Sequence, residues 1–254
     1  MTLILTPLAE FPIIKPGDDL GELILDAINQ TQIELVNGDI LVIAQKIISK
    51  SENRFVNLRS VSPSHRAIEL ANQIDKDPCL IELVLQESKT VLRYRPGTII
   101  VEHRLGFVCA NAGIDHSNVS DKIGSEDWVL LLPEDPDHSA SLIRKKIEDW
   151  CHEQIGVLVI DSHGRAWRLG TVGVAIGFSG LPGVEDLRGD PDMFGRTLQI
   201  TQVGAADELA AAASLVMGQA ADGTPVVHVR GFPYSLREGS LRELLRPEAE
   251  DMFR

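Results

Sequence analysis

The chain has 254 residues, of which 44% are hydrophobic and 24% charged, the balance of an ordinary soluble globular protein. Its net charge of −13 argues against a nucleic-acid partner, because duplex binding needs a positive surface. No apolar run approaches the ~20 residues of a membrane-spanning helix, and the N-terminus lacks the basic segment of a signal peptide. The sequence therefore predicts a cytoplasmic protein with no membrane partner.

The cysteines support the same compartment. Cys79, Cys109 and Cys151 are odd in number and widely spaced, and they form no C-x-x-C pair. This pattern indicates neither a disulfide framework nor a zinc site, and it is typical of a reducing cytosol.

The first half of the chain alternates short strands with helices. In chain order, the patterns predict a strand over 2–6, a helix over 18–28, a buried strand over 40–48, helices over 64–74 and 78–92, and strands over 98–101 and 106–110.

The second half continues this alternation. We expect a strand over 128–132, a helix capped by Ser139 and ending at 152, strands over 157–160 and 171–179, a polar loop over 180–195, a strand over 197–203, a helix over 205–217, a strand over 225–229 and an exposed amphipathic helix over 240–254.

These elements predict an α/β fold of mixed (α+β) type, with helices flanking the sheets. We interpret residues 1–254 as one domain and leave open a division into two lobes. No G-x-G-x-x-G opens a helix after a strand, and no Walker A loop is present. A Rossmann fold and a P-loop fold are therefore both unsupported.

One stretch organises the functional interpretation. Four apolar residues at 157–160 are followed by Asp161, Ser162, His163 and Arg165. Buried parallel strands have such apolar runs, and open α/β sheets bind ligands at the carboxyl ends of their strands. Carboxylate and hydroxyl oxygens suit Mg²⁺, and Arg pairs with phosphate. A strand followed by a solvated turn explains this stretch alone equally well.

Asp115 also follows a predicted apolar strand, and Asn118 lies three residues further on. If the strands before Asp115 and Asp161 are neighbours, both carboxylates can converge on one divalent ion. Taken singly, an Asp in a turn is more often a turn former.

Four basic side chains could supply positive charge to such a site. Arg165 and Arg168 are near Asp161 in the sequence, whereas Lys46 and Lys50 lie at the end of the strand predicted over 40–48. All four are candidates for binding phosphate, although most Lys and Arg side chains are simply solvated. For His163 we favour a hydrogen-bonding role over proton transfer.

Several sequence blocks, taken together and in order, resemble one family along nearly the whole chain. The chain is similar to the coenzyme F420-0:L-glutamate ligases, also called gamma-glutamyl ligases. The blocks are Pro12-x-x-Lys15-x-Gly17-Asp18-Asp19-Leu20, Gly38-Asp39-Ile40-Leu41-Val42 running to Ser49-Lys50, Asn111-Ala112-Gly113-Ile114-Asp115-x-Ser117-Asn118-Val119, Asp161-Ser162-His163-Gly164-Arg165, Gly173-x-Ala175-Ile176-Gly177, Ala206-Asp207-Glu208 and Met217-Gly218.

The resemblance implies a family-specific fold and a GTP-dependent ligase. Such an enzyme joins L-glutamate to coenzyme F420-0 and then adds gamma-linked glutamates, with phosphorylation of the carboxylate before the amine attacks. It also implies one or two Mg²⁺ or Mn²⁺ ions, a role for K⁺ and a homodimer.

The resemblance further assigns site residues by position. Asp115, Asp161, Ser162 and Gln219 are the expected metal ligands, and Asp115, Asp161 and Arg165 are the expected catalytic residues. The expected GTP-contacting residues are Ala9, Glu10, Phe11, Pro12, Gln45, Lys46, Lys50, Asn118, Met217, Gly218, Gln219, Ala220, Ala221, Asp222, Gly223 and Thr224.

Two positions depart from the family pattern. Gln219 stands where a compared member has a metal-binding Glu, which predicts a weaker second metal or one completed by phosphate and water. Gln45 and Lys46 replace a small hydroxyl pair, which predicts a GTP contact through backbone alone. Two alternatives stay open: a related carboxylate–amine ligase with another substrate, and a non-catalytic nucleotide or deazaflavin binder.

Overall fold

The structure is a computed structural model, and it describes residues 2–117, residue 119 and residues 127–252. Across that part of the chain, no helix has both the length and the apolarity needed to cross a membrane. The helices are α1 (Leu20–Gln30), α2 (Gln45–Ser51), α3 (His65–Ile74), α4 (Pro78–Gln86), α5 (Pro136–Cys151) and α6 (Ala205–Met217).

The strands form one main sheet and three smaller ones. They are β1 (Ile4–Pro7), β2 (Ile40–Ala44), β3 (Phe55–Asn57), β4 (Ser88–Arg95), β5 (Thr98–His103), β6 (Val108–Ala110), β7 (Trp128–Leu130), β8 (Gly156–Gly164), β9 (Thr171–Ser179), β10 (Glu185–Asp186), β11 (Gln202–Val203) and β12 (Val226–Arg230). The main sheet has the order β1-β12-β2-β8-β9, and the others are β4-β5-β6, β3-β7 and β10-β11.

Both faces of the main sheet are covered by helices. Leu41 and Ile43 of β2 pack with α1, α2 and α5 on one face, whereas Ile40 and Val42 pack with α6 on the other. Side chains alternate across a strand, so a strand buried on both faces needs a continuous apolar run. Strands β2 and β8 pair in parallel, and the other pairs of this sheet are antiparallel.

The sheet β4-β5-β6 has a core of its own. Helices α3 and α4 bury Leu70, Ile74 and Ile81 against Ile99 and Val101 of β5. The side chain of Phe107 packs against this core and against the core on the α1–α5 face of the main sheet. Strand β6 also lies against β8, which brings the two sheets together.

The mixed α/β prediction is confirmed, and several boundaries follow from local chemistry. Helix α1 begins after Asp19, whose carboxylate accepts from the Glu22 N–H, and α3 begins after Ser64, whose hydroxyl accepts from the Ala67 N–H. Strand β9 and helix α6 have the predicted bounds.

Two predicted elements were too long. The strand predicted over 40–48 ends at Ala44, and α2 begins at the next residue. Ile47 and Ile48 are buried by helical packing, and an apolar run alone does not distinguish helix from strand. The helix predicted over 78–92 ends at Gln86, because the residues from Ser88 onward pair with β5 instead.

Other boundaries also needed correction. Helix α5 begins at Pro136 with Asp135 as its cap, so Ser139 lies inside the first turn. The strand predicted over 197–203 is reduced to Gln202–Val203. The helix predicted over 240–254 is wrong as far as residue 252, because that segment contains two 3-10 turns, Leu241–Leu244 and Glu248–Glu250.

Candidate active site

A cavity of about 360 Å³ opens where the parallel pair β2 and β8 ends. Its lining consists of residues 11–13, residues 44–46 with Lys50, residues 160–162, and residues 217–225 with Ser214. Ala44 and Ile160 are the last paired positions of β2 and β8. The chain leaves this edge as helix α2 on one side and as Asp161 on the other, which is where an open α/β sheet binds its ligands.

Asp161 lies within a strand, not after its end as predicted. Strand β8 continues through Gly164 because it still pairs with β9, with Asp161 opposite Val174. Its Oδ2 lies 3.0 Å from Nε2 of His163. Burial acts to raise the pKa of Asp161, but the nearby imidazole of His163 outweighs it and holds that pKa below its usual value.

Asp115 reaches the site from the β4-β5-β6 sheet. It follows β6 after three residues in the left-handed region: Asn111 (φ 51°), Ala112 (φ 52°) and Gly113 (φ 66°). Such backbone in non-glycine residues is costly and clusters at functional sites. The Asp115 backbone is then fixed to Leu130 by two hydrogen bonds of 2.9 Å.

The Asp115 carboxylate has a partner on each oxygen. Gln45 donates from Nε2 to Oδ2 at 2.7 Å, and Nζ of Lys46 lies 3.3 Å from Oδ1. Lys46 also donates to the hydroxyl of Ser117 at 3.1 Å. Asp115 is therefore tied to two residues that line the cavity.

The two carboxylates act on each other. Burial and the negative charge of Asp161 raise the pKa of Asp115 and Lys46 and Gln45 lower it, with a net result of about 6. Lys46 also acts on Asp161 in the direction that lowers its pKa. Among the described residues, the ammonium group of Lys46 does not offset the burial of Asp115, and an added cation would favour the ionised form of this carboxylate.

The donor set fits a hard divalent cation. Asp115 and Asp161 supply carboxylate oxygens, and Ser162 and Gln219 supply neutral oxygens, which are the ligand types that Mg²⁺ and Mn²⁺ take. Among the residues that the structure describes, no three His, Cys, Asp or Glu side chains form a metal cluster. Such an ion would therefore need phosphate or water oxygens as further ligands.

Ser162 and Gln219 are bonded to each other. The Ser162 hydroxyl donates to Oε1 of Gln219 at 2.9 Å, and Nε2 of Gln219 donates to the Ser214 hydroxyl at 3.0 Å. Gln219 thus presents its carbonyl oxygen toward the cavity side of Ser162. Neither group has to break this bond to act as a ligand, because the hydroxyl uses only its hydrogen and the carbonyl oxygen keeps a second lone pair.

The wall at 217–224 is a loop closed on itself. Thr224 donates from its hydroxyl to the carbonyl oxygen of Met217 at 2.9 Å, and the Ala220 N–H donates to Oδ2 of Asp222 at 3.2 Å. Gly218 has a φ of 73°, and a Cβ there would lie 2.1 Å from Asp222 Oδ2. Only glycine allows this close return of the loop.

Most of the predicted site residues are brought together here. The cavity is lined by Phe11, Pro12, Gln45, Lys46, Lys50, Asp161, Ser162 and every residue from Met217 to Thr224. Among the described residues, Ala9, Glu10, Asp115 and Arg165 do not line it. Asp115 contacts the lining residues Gln45 and Lys46, whereas Arg165 donates to the carbonyl oxygen of Gly170 at 3.2 Å. Asn118 lies outside the described residues.

Sequence reasoning missed two contacts. Gln45 was expected to contact GTP through its backbone, and the bond of its side-chain amide to the carboxylate of Asp115 was not predicted. His163, expected to make an ordinary hydrogen bond, lies against Asp161. The spacing of Gln45 and Ser49 on one helical face was an available signal, but the strand predicted over 40–48 concealed it.

Comparisons with known proteins show which family the chain belongs to. Residues 9–231 match the family model described as F420-0:Gamma-glutamyl ligase. The chain is 45% identical over 245 residues to the Coenzyme F420:L-glutamate ligase of Methanothermobacter thermautotrophicus, with 96% of this chain and 95% of that protein covered. It is 42% identical over 248 residues to the ligase of the same name from Archaeoglobus fulgidus, with 98% and 95% covered.

A third relative shows the same extent of similarity. The Coenzyme F420:L-glutamate ligase of Methanocaldococcus jannaschii is 43% identical over 247 residues, which cover 96% of this chain and 94% of that protein. The fold and the matches thus define a ligase of mixed α/β architecture. The chain belongs to the F420-0:gamma-glutamyl ligase family.

Proposed function

We propose that this protein is a GTP-dependent ligase that adds L-glutamate to coenzyme F420-0 and then adds gamma-linked glutamates, through an acyl phosphate. The observation that carries the proposal is the cavity at the ends of β2 and β8, where Asp161, Lys46 and the 217–224 loop meet and to which Asp115 is tied. The names of the relatives support the choice of substrate.

The cavity suits a nucleotide in an acidic protein. With a net charge of −13, the protein needs local positive charge where it binds a triphosphate. Lys46 and Lys50 line the cavity and supply that charge, and the 217–224 loop offers backbone groups. Phe11 and Pro12 add an apolar wall that suits the flat face of a base.

The proposed ion is Mg²⁺ or Mn²⁺, held by Asp115 and Asp161 and, at a second position, by Ser162 and Gln219. When bound, it supplies charge neutralisation between the nucleotide's phosphates and the attacking carboxylate. A role for K⁺ stays a prediction from the family resemblance.

The chain's own residues have positioning and shielding roles in this reaction. A carboxylate oxygen of F420-0 attacks the γ-phosphorus and GDP leaves; the glutamate amine then attacks the acyl carbon and phosphate leaves. Lys46 and Lys50 hold phosphate oxygens in line, and the closed 217–224 loop keeps water from the acyl phosphate. Arg165 stays a prediction, since its described contact is with Gly170 and not with the cavity.

The proposal is tested by incubating the protein with F420-0, L-glutamate, GTP and Mn²⁺ and measuring product masses. Products heavier by one or more glutamyl units are expected. GTP hydrolysis without such products would favour a related ligase with another substrate. Binding of GTP without turnover would favour a non-catalytic nucleotide binder.

We also propose that the protein is a homodimer. Trp167 and Leu169, in the turn between β8 and β9, and Met193 and Phe194, in the loop between β10 and β11, are large apolar side chains that are almost fully exposed. Apolar side chains in such numbers mark interaction surfaces. Light scattering should give twice the chain mass of 27.8 kDa, and a mass of one chain would refute the dimer.

A further inference from the structure

We propose that Gln45 is a positioning residue that fixes the carboxylate of Asp115 for the divalent cation, and that Ser49 fixes the amide of Gln45. The inference rests on the proposed function, because it assumes that Asp115 is a metal ligand. It assigns a role to the side chain of Gln45, in addition to the backbone contact with GTP that is expected from the sequence.

Gln45 and Ser49 form a buried polar pair on one helix. Gln45 is the first residue of α2, directly after β2, and only 2% of its surface is exposed; Ser49, four residues later, is fully buried. Residues four apart on a helix lie on the same face. The Ser49 hydroxyl donates to Oε1 of Gln45 at 2.9 Å.

The carboxylate of Asp115 determines the orientation of the Gln45 amide. An ionised carboxylate only accepts hydrogen bonds, so the NH₂ group of Gln45 must face Oδ2 of Asp115, 2.7 Å away. The carbonyl oxygen then faces Ser49, which has a hydrogen to donate. Turning the amide over would oppose two acceptors in a buried site, which costs roughly 1–3 kcal/mol per unsatisfied group.

Gln45 differs from Lys46 in what it does to Asp115. Lys46 holds Oδ1 with a full positive charge, so it competes with a cation, and its side chain is 30% exposed and able to turn away. Gln45 is neutral and buried, so it holds Oδ2 in place without cancelling the charge that attracts the metal. The cation therefore meets a carboxylate whose plane is already set.

The test measures binding of Mn²⁺ alone to the nucleotide-free protein, from the electron paramagnetic resonance signal of free Mn²⁺. The variants are Gln45→Leu, Ser49→Ala, the double variant, Asp115→Asn, and Gln86→Leu as a matched control. Gln86 also donates its amide to a carboxylate four residues away on a helix, that of Glu82 at 3.1 Å, but it lies on α4, outside the cavity lining.

We expect Gln45→Leu to weaken Mn²⁺ binding about tenfold, the range seen when a group supporting a metal ligand is lost. Ser49→Ala should weaken it about threefold, and adding Ser49→Ala to Gln45→Leu should change nothing further, because Ser49 acts through Gln45. Gln86→Leu should bind Mn²⁺ as the wild type does. Thermal unfolding of each variant confirms that the binding is measured on folded protein.

The outcomes separate this inference from the proposed function. If Asp115→Asn binds Mn²⁺ as well as the wild type, the metal site itself is refuted, and both proposals fail. If Asp115→Asn loses Mn²⁺ but Gln45→Leu retains wild-type affinity, the positioning role alone is refuted. Independent, additive losses in the double variant would refute the part of the inference that concerns Ser49.

Discussion

Two buried acids of this protein, Glu87 and Asp115, have pKa values that are shifted in opposite directions. Glu87, at the end of α4, is surrounded by Arg54, Arg104 and His103, whereas among the described residues Lys46 is the cationic side chain at Asp115 and His163 lies beside Asp161. Burial opposes the ionisation of Glu87, yet its neighbours lower its pKa to about 2; burial and Asp161 raise the pKa of Asp115 to about 6.

The difference separates a structural acid from a functional one. Arg54 donates from Nη2 to both oxygens of Glu87 at 3.1 Å, and its Nε donates to the Leu132 carbonyl oxygen; Nε of Arg104 lies 2.9 Å from Oε2 of Glu87. Glu87 thus has more positive charge around it than it needs and binds the segment after β7 to α4. The raised pKa of Asp115 shows that Lys46 does not offset its burial, and acids perturbed in this way cluster at functional sites.

The largest effect on the ligation rate is expected at Asp115 and Asp161. Asp115→Asn and Asp161→Asn should each lower the ligation rate by about 10²–10³-fold, because a metal ion supplies several kcal/mol of transition-state stabilisation. Each variant should remain folded, because asparagine keeps the shape of aspartate and one of its hydrogen-bond acceptor oxygens. The product-mass assay measures the rate, and circular dichroism measures the fold.

Asp26→Asn serves as the control for this prediction, because Asp26 lies on the exposed side of α1. Near-normal activity in Asp115→Asn or Asp161→Asn would remove that residue from the proposed metal site.

Replacing Glu87 should lower the free energy of unfolding without affecting metal binding. Glu87→Gln leaves two partly buried guanidinium groups without their carboxylate, and breaking a buried pair costs about 3–5 kcal/mol. We expect a loss of about 3 kcal/mol in urea unfolding, with Mn²⁺ affinity unchanged in the folded protein.

The surface pair of Glu69 with Arg66 is the comparison for that measurement. Because both side chains are exposed, Glu69→Gln should cost less than about 1 kcal/mol. Equal losses in the two variants would show that Glu87 is not a structural centre.

The contribution of Glu87 to stability should depend on pH. The pKa of Glu87 is lowered from 4.5 to about 2 in the folded state, so its contribution is complete above about pH 4.5 and is lost as the pH falls toward 2. The free energy of unfolding of the wild type should therefore decline in this window more steeply than that of Glu87→Gln. Parallel profiles for the two proteins would contradict the assignment.

The smallest effect is expected at the second metal position. Gln219→Glu adds a charge beside Ser162, so it should tighten Mn²⁺ binding by a few-fold, since ligand charge sets affinity for hard cations. Gln219→Leu, which removes the oxygen, should give no such gain. An unchanged metal dependence in Gln219→Glu would count against Gln219 as a ligand.

The sequence predicted the fold best where local chemistry sets the boundary. Helix α6 and strand β9 had the right limits because Gly and polar residues flank both, and α1 began where Asp19 caps it. Helix α2 was missed because its apolar residues continue those of β2 without a break. Only burial on the main sheet makes residues 45–51 helical, and that is a tertiary effect.

The proximity of Asp115 and Asp161 was predicted on a premise that the structure changes. The prediction required neighbouring strands, but Asp115 follows β6 of one sheet and Asp161 lies in β8 of another. They approach because β6 packs against β8. The pairing of Gln45 with Asp115 depends on this packing of two sheets, and no spacing in the sequence specifies it.

The backbone bonds around the cavity have a consequence for dynamics. Asp115 exchanges two hydrogen bonds with Leu130, and Asp161 lies in a strand paired to β9, whereas the 218–224 wall is a loop beyond the end of α6. Amide protons at both aspartates should therefore exchange with deuterium as slowly as those of the core, and those of the loop far sooner. A ligand would then enter the cavity by displacing the 218–224 loop, while Asp115 and Asp161 stay in place.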